Sequence, residues 1–167
     1  MTKILSLDLG IHTGWAINDK NGLRYGTINF RKSRKDTRGR IYYEFYDWLD
    51  SRLWIGGEWS KVKMIAYEQP HNRGGATTEM LNTFAGIVQM VCYIWKIPHR
   101  SVHSLTIKKF MTGSGKATKE DMIKAVQKKH PGIKDLDEHQ ADAIALLCFM
   151  KAEQLRNDIE HCPLRND

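Results

Sequence analysis

Three acidic residues stand where acids are costly. Asp8 closes the run ILSLD, Glu68 closes MIAYE, and Asp142 directly precedes the unbroken apolar run 143–150. An ionised carboxylate beside a core costs several kcal/mol unless it is paired or holds a metal. Singly, each has an ordinary use: a turn former after a strand, a partner for a lysine, a complement to a helix dipole. Together, clustered carboxylates without cysteine suit the hard cations Mg²⁺ and Mn²⁺. Two such ions about 4 Å apart clamp the attacking and leaving oxygens of phosphodiester cleavage. His139 precedes Asp142 by three residues and shares its helix face. That spacing favours a metal ligand or a group that handles the attacking water, with Asp137 and Glu138 as rival candidates.

The elements that must position these residues are legible from periodicity. Segment 3–9 is β-rich and mostly apolar, 12–18 reads as a second strand ending in an Asn-Gly turn, and 23–30 alternates as a third. Segment 41–54 carries Ile41, Phe45, Trp48, Leu49 and Leu53 at helical spacing. A fourth strand, 62–67, ends at Glu68; a Gly-containing loop, 70–76, leads to a long helix at 77–95; and a short fifth strand follows at 99–103. Helices at 104–111, Lys119–Lys129 and 139–156 complete the order βββ-α-β-α-β-α-α-α. Right-handed crossovers place strands four and five parallel to strand one. The expected fold is α/β: a mixed five-stranded sheet flanked by helices on both faces. It sets the carboxyl ends of strands one and four side by side, where open α/β sheets place their sites.

Residues 1–156 form one expected domain and 157–167 a polar C-terminal tail within 167 residues, enough for a self-supporting core. The formal net charge of +7 implies a polyanionic partner, nucleic acid first. The segment 31–40 holds six basic residues and one acidic one, so Arg31, Lys32, Arg34 and Lys35 are candidate phosphate contacts. Cys92, Cys148 and Cys162 form no CxxC pair, which argues for a reducing compartment and against a zinc site. The apolar stretch 84–97 is interrupted by Gln89 and Lys96 and is too short to span a bilayer. The expected location is the cytoplasm, with no membrane association. Helix 77–95 is apolar on more than one side, through Met80, Leu81, Phe84, Ile87, Val88, Val91, Ile94 and Trp95, and so must be buried on two sides. One side faces the sheet and the other a twin helix, unless the helix is simply deep in one core.

These pieces resemble the RuvC family of Holliday-junction resolvases, in the ribonuclease H-like superfamily, and the resemblance spans most of the chain. ILSLDLGIHTGWAI is similar to the family's first strand, with Asp8 as its catalytic acid. IAYEQP is similar to the second catalytic strand, giving Glu68, and HQADAIALL to the closing catalytic helix, giving Asp142. Three residues before that acid many relatives carry Asp and others His, as here at His139. KKFMTGSGKATK is similar to the family's basic loop, which implies that Lys108 and Lys119 approach the scissile phosphates, with Lys116 beside them as a DNA contact.

The resemblance implies a homodimer that cuts two strands of four-way DNA near the crossover, using two Mg²⁺ ions held by Asp8, Glu68, His139 and Asp142. A nitrogen ligand at His139 suits Mn²⁺ better than Mg²⁺. The chain departs from the family after Glu68: PHNRGGATT lies where relatives place an aromatic or apolar residue that wedges into the junction. His71 or Asn72 takes that place, or nothing does; His71 and Arg73 stay candidate DNA contacts. With the distinctive basic loop at 31–40, this fits a relaxed, phage-type nuclease of branched DNA. A ribonuclease acting on RNA–DNA hybrids would carry the same acids, and a junction-binding protein without activity would keep the same fold. An ATP-binding domain of the actin type shares Asp-Leu-Gly followed by Thr-Gly, but it needs two lobes and this chain holds one.

Overall fold

The computed structural model describes residues 2–19, 22–31, 33–71 and 74–160. In chain order the elements are β1 (Ile4–Asp8), β2 (His12–Asp19), β3 (Gly22–Asn29), α1 (Arg38–Leu53), β4 (Met64–Glu68), α2 (Gly75–Trp95), β5 (His99–Val102), α3 (Ser104–Thr112), α4 (Lys119–Lys129) and α5 (Glu138–Glu160). The strands form one five-stranded sheet in the order β3-β2-β1-β4-β5. β1, β2 and β3 pair antiparallel, while β4 runs parallel to β1 and β5 parallel to β4. This is the mixed sheet expected from the element order, and it brings the carboxyl ends of β1, β3, β4 and β5 to one edge.

Alternation along the central strands divides the core in two. Leu5, Leu7, Ile17, Ile65 and Tyr67 face α1 and α2, in a layer with Phe45, Trp48, Phe84 and Val88. Ile4, Ala16 and Ala66 face α5, in a layer with Ile107, Met122, Ile144 and Leu147. A strand covered on both faces has no polar side, which is why β1 and β4 read as apolar runs rather than as alternation. Helix α1 buries Ile41, Phe45, Trp48, Leu49 and Leu53, the stripe expected from their spacing. It starts at Arg38, ahead of that stripe, because Thr37 caps it by accepting from the Arg40 backbone N–H. Helix α2 is buried on one side only: Phe84, Ala85, Val88, Val91 and Cys92 are covered, while Met90, Tyr93 and Ile94 are 47%, 86% and 50% exposed.

Helix α5 is the piece that completes the edge. Residues 143–150 are wholly buried against the sheet. Asp137 caps the helix through Oδ1, which accepts from Gln140 N at 2.8 Å, and Gln140 returns its amide oxygen to Asp137 N at 3.3 Å. Thr27 of β3 donates to the same Asp137 carboxylate at 2.7 Å, pinning the helix end to the sheet. Asp142 therefore lies one turn inside α5 rather than at its start. The helix continues past Arg156 to Glu160, because AEQLRNDIE holds no Gly or Pro to stop it; residues 161–167, with Cys162, lie outside the described residues.

Two small residues allow α5 to sit this close. The buried Ser6 hydroxyl donates to the Ala143 carbonyl at 2.7 Å and lies 3.1 Å from that of Ala16. Gly14 of β2 pairs with Asp8 and passes beneath His139 so tightly that a Cβ would lie 2.0 Å from the His139 carbonyl oxygen. That neighbour is backbone and cannot swing aside. Gly14→Ala should therefore push out the start of α5, costing about 2–3 kcal/mol in urea unfolding, and should lose more activity than that stability loss explains; an unchanged unfolding midpoint would contradict this packing.

Candidate active site

Asp8 and Glu68 end adjacent parallel strands, one step beyond the Leu7–Tyr67 pair, and alternation turns both toward α5. Asp142 and His139 approach from α5, so the structure gathers all four sequence-predicted residues at one sheet edge. All are half-buried. His139 Nδ1 lies 2.8 Å from Asp8 Oδ2, and its ring stacks on that of His12, 5.8 Å between centroids and 9° from parallel. His71 Nε2 lies 3.4 Å from Glu68 Oε1 and 3.0 Å from Ser104 Oγ.

Burial and mutual repulsion set the electrostatics. Burial pushes Glu68 up from 4.5 to about 8, helped by the charges of Asp8 and Asp142 and opposed by Lys108 and a hydrogen bond from Ser104. Asp142 rises to about 6, by burial first and then by Asp8, with Lys108 and His139 offsetting part of it. Burial also raises Asp8, against the hydrogen bond from His139. His139 is raised in turn by that hydrogen bond, which outweighs its own desolvation. Carboxylates that resist ionisation beside one another are the charge pattern that a divalent cation relieves.

The donor set is oxygen-rich, with imidazole and no thiolate, and so fits Mg²⁺ or Mn²⁺. Among the described residues, no three His, Cys, Asp or Glu side chains converge tightly enough to grip one ion as they stand. Asp8 is turned to His139, so gathering the donors takes side-chain rotation at an edge whose backbone is already in place. Of the rivals to His139, Asp137 is committed to capping α5 and to Thr27. Glu138 forms an ion pair with Lys119 and reaches to 3.7 Å from His139 Nε2.

The cationic residues divide into groups. Lys108, half-buried on α3, lies close enough to offset the charge of both Glu68 and Asp142. Lys119, at the start of α4, is exposed and held by Glu138. Lys116 faces a separate cleft with Thr112, Asp121, Lys124 and Lys128, away from the acids. The basic segment leaves β3 at the same edge, where Phe30 N bonds Ile11 O at 2.9 Å. Its Arg38 pairs with Glu79 of α2 and its Arg40 with Asp36, which leaves Arg31, Arg34 and Lys35 exposed on a braced loop. Lys32, Asn72 and Arg73 lie outside the described residues. Sequence reasoning missed Ser104 and His12, and named Glu138 only as a rival to His139, not as the partner of Lys119. Only the Asp-x-x-Gln cap at 137–140 had a recognisable signature.

No protein-family model matches the chain. The crossover junction endodeoxyribonucleases RuvC of Wolbachia sp. subsp. Drosophila simulans (strain wRi) and of Wolbachia pipientis wMel are each 30% identical over 154 residues, covering 87% of this chain and 91% of theirs. The chain belongs to the RuvC family. Solved structures share its fold. Thermus thermophilus RuvC matches with a TM-score of 0.71 at 17% identity, over 93% of this chain and 97% of that one. The same bacterium's RuvC in complex with Holliday junction substrate gives 0.70 at 18% identity, over 87% and 90%. The yeast mitochondrial Holliday junction resolvase gives 0.60 at 12% identity, over 93% and 82%. The ribonuclease H-like fold expected for this RuvC-family chain is the fold it has, and the actin-type alternative falls away.

The raised acids have a consequence for stability. Between its ordinary 4.5 and about 8, Glu68 holds a proton in the folded chain that it lacks when unfolded, so stability falls as pH rises through that window. Asp142 acts in the same sense between 3.8 and about 6. His139, raised by Asp8, also stabilises at low pH and loses that contribution as pH rises. Without metal, the melting temperature should be several degrees lower near pH 8 than near pH 5.5, and Mn²⁺ should raise it mainly at the higher pH. Glu68→Gln should flatten the pH dependence; melting curves insensitive to both pH and Mn²⁺ would refute the assignment.

Proposed function

We propose that this RuvC-family chain is a metal-dependent, structure-specific endodeoxyribonuclease that nicks four-way or other branched DNA, working as a homodimer. The observation that carries the reading is the convergence of Asp8, Glu68 and Asp142, with Lys108 among them, at one sheet edge in a fold shared with a RuvC seen on its Holliday junction substrate. Asp8, Glu68, Asp142 and His139 are the residues to hold two divalent ions, whose chemistry is to activate water and to stabilise the leaving 3′ oxygen, so that the product carries a 5′-phosphate.

The chain's own residues supply the rest. Lys108 sits where a phosphate entering the acidic cluster needs a counter-charge, and Lys119 reaches the same phosphate by leaving Glu138. His139 has Nδ1 committed to Asp8, so Nε2 is the nitrogen left to face an ion or a water. A nitrogen donor there favours Mn²⁺ over Mg²⁺. Arg31, Arg34 and Lys35 hold phosphates of an arm crossing the edge beside the site. The exposed Met90, Tyr93 and Ile94 of α2, with Trp54 and Ile55 also exposed, supply the apolar surface that a second copy covers. No helix among the described residues is long and apolar enough to cross a membrane; the proposed place of action is the cytoplasm of a bacterial or phage-infected cell.

The deciding experiment incubates the protein with a labelled four-way junction, a matched linear duplex and an RNA–DNA hybrid, in Mg²⁺ or Mn²⁺, beside Asp8→Asn. Paired nicks in the junction that need metal and vanish in the mutant are expected. Cutting of the hybrid alone would make the chain a ribonuclease, and binding without cutting would leave a junction-binding protein. Within that assay, His139→Asp should keep most activity in Mg²⁺, whereas His139→Ala should lose about a hundredfold. Equal rates for the two variants would remove His139 from the metal site.

A further inference from the structure

Ser104 is a polar side chain only 6% exposed, the first residue of α3. A serine at a helix start ordinarily serves as its cap. Here the cap is His103, whose Nδ1 accepts from Leu105 N at 3.2 Å. The Ser104 hydroxyl is thus spared from the helix, and it turns inward. The Glu68–Val102 pairing of β4 with β5, closed by Gln69 N to Val102 O at 2.9 Å, sets α3 down directly beside Glu68.

The contacts there form a short chain. Ser104 Oγ lies 3.0 Å from His71 Nε2, and His71 Nε2 lies 3.4 Å from Glu68 Oε1. In the tautomer with its proton on Nε2, His71 donates to Ser104 Oγ and is anchored beside Glu68. The His103 ring meets the His71 ring edge to face, 5.7 Å between centroids, and supports it from the solvent side. Lys108, one turn further along α3, reaches the same carboxylate as a charge. His71 is therefore folded back onto the acidic edge.

We infer that His71, anchored by Ser104, is a positioning residue that orients the Glu68 carboxylate to take a divalent cation. The inference rests on the reading of Glu68 as a metal ligand. Groups that orient a ligand without touching the ion typically control metal affinity by about 10–100-fold. His71 supplies direction, and the Ser104 hydroxyl fixes His71.

The test is a calorimetric titration of the full chain with Mn²⁺, comparing the parent with Ser104→Ala, Ser104→Thr and His71→Leu. Ser104→Ala and His71→Leu should each weaken Mn²⁺ binding by about tenfold, with Ser104→Thr restoring much of it. Nuclease assays should show the Mn²⁺ concentration for half-maximal rate rising by the same factor. His71→Leu lies at a half-exposed position, so it keeps the test open should a change at buried Ser104 disturb folding. Mn²⁺ affinity equal to the parent's in both Ser104→Ala and His71→Leu would overturn the inference alone. A parent that binds no Mn²⁺ would overturn the metal-ligand reading together with it.

Discussion

The gathering of Asp8, Glu68 and Asp142 at one half-buried edge is the constraint around which the rest of this structure is arranged. Burial raises the proton affinity of all three acids, Asp8 adds to that of Glu68 and Asp142, and nothing local to any of them accounts for their being together. What holds them is distributed. The β1–β4 register sets two of them side by side, and the buried run of α5 forces the third against the sheet. Ser6, Gly14 and the Asp137–Thr27 link fix the height and the end of that helix. Each contact is worth little more than about 1 kcal/mol on its own. Acting on a rigid sheet and one long apolar helix, they oppose a repulsion that would otherwise separate the groups. Protonation of an acid, the charge of Lys108 or a bound cation would each relieve the conflict.

How much of this was legible in the sequence follows from the range of the interactions. The strands and amphipathic helices are set by local periodicity, and all five strands and five helices lie close to where the apolar pattern puts them. The acids were legible for a related reason: a carboxylate at the end of an apolar run is anomalous in one dimension as well as in three. Gly14 was not, because its necessity comes from a helix more than a hundred residues away. Ser104 was not, because a serine opening a helix looks like a cap until His103 is seen doing that task. The Asp-x-x-Gln box at the start of α5 was legible in principle, and it separates Asp137, a structural residue, from His139, which reaches the site. Lys116 reads as part of one basic loop with Lys108 and Lys119, yet the turn at 113–118 faces it into another cleft.

Helix α2 shows the same limit from another direction. Its composition calls for burial on two sides, but within one chain only one side is covered. Hydrophobicity specifies that a surface should leave water, not what should meet it. The exposed Tyr93 and Ile94 lie toward the end of α2 far from Gly75, and Gly75 follows the catalytic edge. An association through that face would thus leave the acidic edges of both copies open.

The histidine at position 139 alters the balance at the edge itself. A carboxylate in its place would add a fourth negative charge beside Asp8, whereas the imidazole donates a hydrogen bond to Asp8 and lowers the repulsion. The same exchange ties up Asp8 Oδ2, one of the oxygens that the cluster offers. It also makes one donor depend on being unprotonated, and Asp8 holds that proton more firmly than an isolated histidine would. His12, stacked on the His139 ring, keeps the ring plane fixed while this proton comes and goes. The replacement thus exchanges a permanent charge for a titrating one. The repulsion at the edge is thereby lower, and the charge at His139 becomes tied to pH.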